Sequence, residues 1–483
     1  MEQSQLVELI RLLKPEEKEH VLEFSTLHFF NVGRMRERVI TLLSICLDHP
    51  WHLNEQKLEK MEVSQLVFPG ENYVEGKLEK VMVEAHKVVR SFLLSQRYFR
   101  EENEFSQILD FSEIAREKGL EIRYRQLMTR LEKMQDTSPF ENRQFFQQHF
   151  ALEFAKCDEA TVRNQAKGDL NIPNTLFALE LDYLLKRLEL LNQFLVQQKL
   201  TTLEVPAYFR PLFADLDIPS KYLEDYPVLK ITYEIYLLLK KTELLPSDVE
   251  NLFDLLLRYE QKFDPKSLRE YYGYLRNICI LTLTADFDRV EIDYILQKLY
   301  RDNLERGYMH YEGKINRTRY WAIASNATRI KDYQWALEFI ERYKDEIRDE
   351  NETKDIYRLN MASYLFAVGQ FSECLDNIPP TSPFVDYLLH GKRLELKALF
   401  ELRSDLFSYK LDAFKMFLSR TSQKLLSENQ RKTHSDFANF LTQITSSIPG
   451  DAKRSEIIFN RIYEKKHVVE WRWLLEKAKE LKR

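Results

Sequence analysis

Apolar residues recur along this chain at helical rather than alternating spacing. In residues 330–347, IKDYQWALEFIERYKDEI, the residues Trp335, Ala336, Phe339, Ile340, Tyr343 and Ile347 draw one stripe down a 3.6-residue helix. Glu338, Glu341, Arg342, Lys344, Asp345 and Glu346 fill the rest of the circumference, so this helix has one face to bury. Residues 226–241, YPVLKITYEIYLLLKK, are apolar nearly all round and predict a helix covered on both sides. The tail, EKKHVVEWRWLLEKAKELKR, places Val468, Trp471, Leu475 and Ala478 on one stripe with Trp473 beside it. An amphipathic helix that caps the open end of an array explains this pattern; a partner- or membrane-binding helix is the sharper alternative.

Local chemistry marks helix starts. SPFE at 138–141 and SDVE at 247–250 read as capping boxes. Asp264 before Pro265 offers a side-chain acceptor and a preset φ, Lys14-Pro15 opens an early helix, and Pro173 and Pro227 lie at boundaries. Two stretches interrupt the pattern. VFPGENYVEGKLEK carries a turn at Pro69-Gly70. EVPAYFRPLFADLDIPSKYLEDYP holds Pro206, Pro211, Pro219 and Pro227, which excludes helices longer than a turn or two. The resulting division is an N-terminal helical module at 1–200, a proline-rich connection at 201–227, a helical array at 228–445 and capping helices at 446–483. An irregular connection inside one continuous superhelix fits the same prolines.

Three places align on an aromatic in a turn. Ala324 is followed by Tyr333, Ala336 and Ile340; Ala362 by Phe371, Cys374 and Ile378; Ala398 by Phe407, Lys410 and Phe414. In each, a small residue near the end of one helix precedes the aromatic by nine positions. Over about residues 315–420 the chain resembles tetratricopeptide-type repeats, which set small residues where paired helices cross and plug the turn with an aromatic. The period is longer than that family's, Lys410 replaces a small residue, and the early tryptophan is missing. The resemblance implies an α-solenoid of stacked antiparallel helix hairpins, in which Tyr333→Ala or Phe371→Ala costs about 3 kcal/mol. Over its whole length, through FPGENY and the region ending in SDFANFL, the chain also resembles a family of bacterial helical proteins for which no activity can be carried over.

Composition agrees with an all-α chain. Eleven glycines and 15 prolines among 483 residues fall below the ordinary shares of about 7% and 5%, and sheet proteins need both at their turns. The net charge of −5 gives no electrostatic reason to seek a polyanion, so nucleic acid is disfavoured as a partner. The N-terminus lacks the pattern of a signal peptide, and no run approaches the ~18 apolar residues of a membrane span, so a cytoplasmic location is expected.

Candidate chemistry is sparse. Cys46, Cys157, Cys279 and Cys374 are scattered singly and read as buried reduced thiols, not as a zinc site or disulfide framework. HPWH offers His49 and His52, with His20 and His28 upstream; surface and capping roles explain them. Asp286 and Asp288 in ADFDR read as caps. Basic clusters such as GRMRER at 33–38 could meet phosphates, and the nearby Phe29 and Phe30 could stack on bases. Phosphate-binding glycine loops and the GxSxG elbow are missing. No cofactor, metal or catalytic residue is assigned. Tyr271, Tyr272 and Tyr274 cannot all point inward on one helix, so at least one lines a groove or a neighbouring hairpin. The sequence therefore favours a non-enzymatic scaffold that binds a protein or peptide partner on a concave helical surface. A regulatory array that binds nucleic acid or a nucleic-acid enzyme is the alternative, and an enzyme whose residues meet only in space is the third reading.

Overall fold

The computed structural model describes residues 1, 3–49, 58–162, 168–200, 205–214, 216–285, 289–348, 352–465 and 468–482. Among them the chain is all-α; the only β pairing is the isolated bridges Tyr311–Lys314 and Ile315–Ile347. Two compact units divide it, residues 1–137 with 151–171 and residues 138–150 with 172–483.

In the first unit, α1 (Gln5–Arg11), α2 (Pro15–Thr26), α3 (Arg36–Asp48), α4 (Lys60–Val67) and α5 (Lys77–Tyr98) enclose one core around Ile10, Leu42, Cys46, Val63 and Val81. Pro15 starts α2 as its neighbours predict, and the Lys14 amide donates to the Glu17 carboxylate at 2.8 Å. The turn at Pro69-Gly70 forms, closed by the Glu71 amide on the Phe68 carbonyl at 3.2 Å. Gly70 takes φ +79° there, a conformation that only glycine adopts without penalty. The hairpin of α6 (Glu104–Glu117) and α7 (Glu121–Asp136) builds a second core with Leu152 from α8 (Arg143–Val162).

The second unit begins, after the first turns of α8, with α9 (Ile172–Leu200). As the four prolines dictate, only a 3-10 turn (Ala207–Phe213) and the six-residue α10 (Ser220–Asp225) follow. Leu216 and Ile218 anchor this irregular stretch in the unit's core. Pro227 then opens α11 (Pro227–Lys240), which packs against α9, α10, α12 (Pro246–Tyr259) and α13 (Pro265–Ala285). That enclosure is why its residues read as apolar all round.

Two predicted caps differ from what forms. SPFE opens no helix: the Ser138 hydroxyl donates to the Phe140 carbonyl, and Asn142 caps α8 by accepting from the Phe145 amide at 3.0 Å. SDVE lies inside α12, which starts at Pro246, and Asp248 reaches back to the Leu245 amide. Asp264 does cap α13, accepting from the Lys266 and Ser267 amides at 3.0 and 3.1 Å.

Beyond α14 (Val290–Glu305), helix hairpins follow in order: α15 (Arg317–Arg329) with α16 (Tyr333–Arg342), α17 (Thr353–Ala367) with α18 (Phe371–Asn377), and α19 (Val385–Glu401) with α20 (Phe407–Arg420). Each hairpin turns through the same closure. The amides of Lys331, Gly369 and Arg403 return to the Thr328, Phe366 and Phe400 carbonyls, and the next amide reaches five residues back. All three residues are left-handed, with φ of +64°, +83° and +50°. The unit ends in α21 (Glu428–Thr445), α22 (Ala452–Glu464) and α23 (Trp471–Glu480).

Ala336, Phe339 and Ile340 are buried on α16 as the stripe predicts, but the helix stops at Arg342; a 3-10 turn (Lys344–Glu346) follows, and Ile347 is buried in extended backbone bridged to Ile315. The small residues Ala324, Ala362, Cys374 and Ala398 are buried too. The turn aromatics are less enclosed: Tyr333 and Phe371 are half-buried, and only Phe407, at 8% exposure, is buried. Truncation at Tyr333 or Phe371 should therefore cost about 1–2 kcal/mol, below the full aromatic penalty. Phe339→Ala should cost about 3–5 kcal/mol, which urea titration of the three variants will compare.

Candidate functional site

The residues singled out in the sequence do not converge. His20 and His28 are exposed, His49 ends α3, and no group of three or more metal-ligating side chains occurs among the described residues. His52, Asp286 and Asp288 lie outside the described residues. Cys46, Cys279 and Cys374 are buried, and burial pushes each thiol up to about 12; Cys157, expected to be buried as well, is half-buried on α8. In GRMRER, Arg36 bonds the Thr26 carbonyl, while Arg38 pairs with Glu71 at 3.3 Å and lies over the Phe68 ring. Two of its three arginines are thus spent within the protein. Tyr271 and Tyr272 are both buried, against Phe263 on one side and Phe253 with Tyr308 on the other. Tyr274 is the half-buried one, beside Glu189 and Arg143.

What sequence reasoning missed is a buried charged seam. It starts at α19, whose residues His390, Arg393, Lys397 and Glu401 share one face at helical spacing. Arg393 spends all three of its nitrogens: Nε on Glu470 Oε1 at 3.2 Å, Nη1 on His434 Nδ1 at 3.4 Å and Nη2 on His390 Nδ1 at 3.3 Å. Lys397 reaches the other Glu470 oxygen at 2.7 Å and lies between the rings of Phe366 and Trp473. Burial by itself would raise the Glu470 carboxyl, but Lys397 and Arg393 overcome it and hold it well below the usual carboxylate range.

The bonding pattern fixes the histidine tautomer. Ser363 donates its only proton to the Leu359 carbonyl, so His390 Nε2 must donate to Ser363 Oγ and Nδ1 must accept from Arg393. Burial first and the Arg393 charge second push both His390 and His434 down to about 3. Both stay neutral.

Glu470 precedes α23 with φ +61°, so a non-glycine residue accepts left-handed strain to place this carboxylate. The helix it opens packs on α21 and α22, with Val468, Trp471, Leu474, Leu475 and Ala478 buried. Its first turns also reach back. Arg472 meets Asp293 of α14 at 3.1 Å, where Arg329 of α15 meets the other oxygen at 3.0 Å. Trp473 Nε1 donates to Glu401 at 2.8 Å, and Lys477 joins the same carboxylate. Further side chains tie α15 to α19 directly: the Trp321 ring lies 5.1 Å from that of His390, tilted by 49°, and the Tyr387 hydroxyl donates to the Arg317 carbonyl at 2.9 Å.

On the other face of α19 a cleft of about 450 Å³ opens, bounded by α17, α18 and α20. Ile356, Leu359, Ile378, Leu388 and Leu399 line its floor, while Glu352, Asp355, Lys392 and the Glu395–Lys410 pair form its rim. Its volume lies within the ~300–1,000 Å³ of ordinary ligand sites. Lys410, where the repeat pattern asks for a small residue, is thus a rim residue.

No family model, curated protein or solved structure matches the chain.

Proposed function

We propose that the second unit is an α-solenoid of helix hairpins acting as a non-enzymatic scaffold, and that it holds a short peptide segment of its partner in the cleft beside α19. The observation that carries this reading is the cleft itself, with an apolar floor and a rim of both charge signs. Such a rim orients a peptide, while the floor supplies the apolar burial that drives binding. Helices packing on both their next and next-but-one neighbours, as α15 does on α16 and α17 and α17 on α18 and α19, support the stacked arrangement. Between α15 and α19 the side chains of Trp321, His390, Tyr387 and Arg317 meet one another, which favours the cleft on the other face of α19 as the partner surface. Among the described residues no helix is long and apolar enough to cross a membrane, so a bilayer-spanning role does not compete with this one.

Peptides selected from a displayed library on the full chain test it. Leu388→Ala combined with Asp355→Lys should weaken the selected peptides by at least about tenfold, the scale of one hot-spot contact, without shifting the melting temperature by more than a few degrees. Peptides that bind this variant as tightly as the parent would move the partner surface elsewhere.

A further inference from the structure

Arg276 is the most unusual charge in the second unit. It lies in the middle of α13 at 7% exposure, and among the described residues its only hydrogen-bond partner is the neutral side-chain oxygen of Asn303. A guanidinium does not shed its proton to escape burial, so an interior arginine calls for an anion beside it. Here none is supplied. Asp302, next to Asn303, is paired with Arg306 at 2.9 Å, and no carboxylate among the described residues acts on Arg276. The charge that does act on it is a like one, Arg319 of α15, and Arg319 in turn feels Arg269. Burial, followed by Arg319, pushes Arg276 down to about 10. The Arg319 side chain donates to the Met309 carbonyl at 3.1 Å, and Arg269 is exposed.

The backbone beside these arginines is bare. Gly273 sits inside α13, where glycine costs about 1 kcal/mol relative to alanine. It is four residues from Arg269 and three from Arg276, so all three share a face. A methyl group at Gly273 would meet Arg276 Nη2 at 3.7 Å, an ordinary contact, and no other side chain within 4 Å among the described residues. A costly glycine has therefore left space next to a buried, uncompensated guanidinium, with Arg269 one turn away on the same helix face.

We propose that Arg276, Arg319 and Arg269 form a binding site for a small phosphate-bearing ligand that lies against Gly273. A phosphate carries the two negative charges and the several acceptor oxygens that such a set of forked donors matches. A small ligand is favoured over a nucleic-acid strand because Arg276 is nearly enclosed, and a polymer backbone would reach only Arg269.

The test uses the full chain with pyrophosphate and inorganic phosphate as probes, against chloride at equal ionic strength. Pyrophosphate should raise the melting temperature and bind measurably by calorimetry. Arg276→Met should abolish that rise and leave the melting temperature in phosphate-free buffer unchanged or higher, because it deletes an uncompensated buried charge. A merely structural arginine would behave the other way, lowering stability while the phosphate response stayed. Arg269→Gln, at an exposed position that threatens no packing, should weaken pyrophosphate by about tenfold. An equal response of the parent and both variants would reduce the effect to general salt stabilisation and overturn the site. So would binding of a single-stranded oligonucleotide without any response to pyrophosphate.

Discussion

Glu470→Ala should lower the stability of the protein by about 3–5 kcal/mol, the cost of leaving buried cations without their anion. Arg393 and Lys397, both 8% exposed, pair with no other carboxylate among the described residues. Two companion variants separate charge from backbone. Glu470→Gln keeps the size but not the charge and should fall nearly as far. Glu470→Gly also loses the charge yet relieves the left-handed φ of +61°, so it should recover about 1–2 kcal/mol relative to alanine. Urea midpoints at constant m-value are the measurement. If all three variants unfold with the parent's midpoint, the seam does not hold α23 in place. A ranking with alanine below glycine would establish that the strained backbone and the ion pair oppose each other at this residue.

The helices of this chain were legible because their apolar stripes are long and regular. Trp335 to Ile340 could be read as a helix face to be covered, and Ala324, Ala362 and Ala398 as positions to be buried, before any coordinates; the end of that helix at Arg342 could not. Turn closure was less visible. Of the three left-handed turn residues only Gly369 announces itself, since Lys331 and Arg403 bear side chains that carry no such signal. Caps failed where two candidates competed: SPFE fits the capping-box pattern, but Asn142, one residue later, wins the amide. The charged seam was invisible for a different reason. Arg393, Lys397, Glu401, Glu470 and Arg472 look like the solvated faces of amphipathic helices, and only contacts between residues more than 70 positions apart turn them inward. The one available hint was spacing, because Asp293, Gln297, Tyr300 and Asn303 recur at steps of four, three and three on a helix whose next face is apolar. Arg276 gave no hint. A lone arginine within a helix is read as exposed unless its neighbours are known.

Acid should loosen the same seam before it touches its carboxylate. A histidine whose pKa is lower in the folded state than in the unfolded one binds fewer protons when folded, so stability falls as the pH drops below the unfolded value. For His390 and His434 that window runs from the ordinary 6.5 down to about 3. Within it each histidine removes at most about 1.4 kcal/mol per pH unit, or about 2 kcal/mol between pH 7 and pH 5. The groups facing them explain the direction: Arg393 donates to both rings, Lys397 adds a second positive charge near His390, and Glu470 is already committed to those two cations. Glu470 contributes in a lower window, since a carboxyl held below its usual value keeps its stabilisation until the pH falls under about 4.5. The two effects are therefore separable along the pH axis. His434→Asn retains an acceptor for Arg393 where Nδ1 stood but does not titrate. It should remove about half of the stability lost between pH 7 and pH 5, and His390→Asn the rest. Unfolding curves at fixed ionic strength measure this directly. A parent protein whose stability is flat across that window would mean that both rings reach solvent and charge freely, and that α23 is released from α19 in solution.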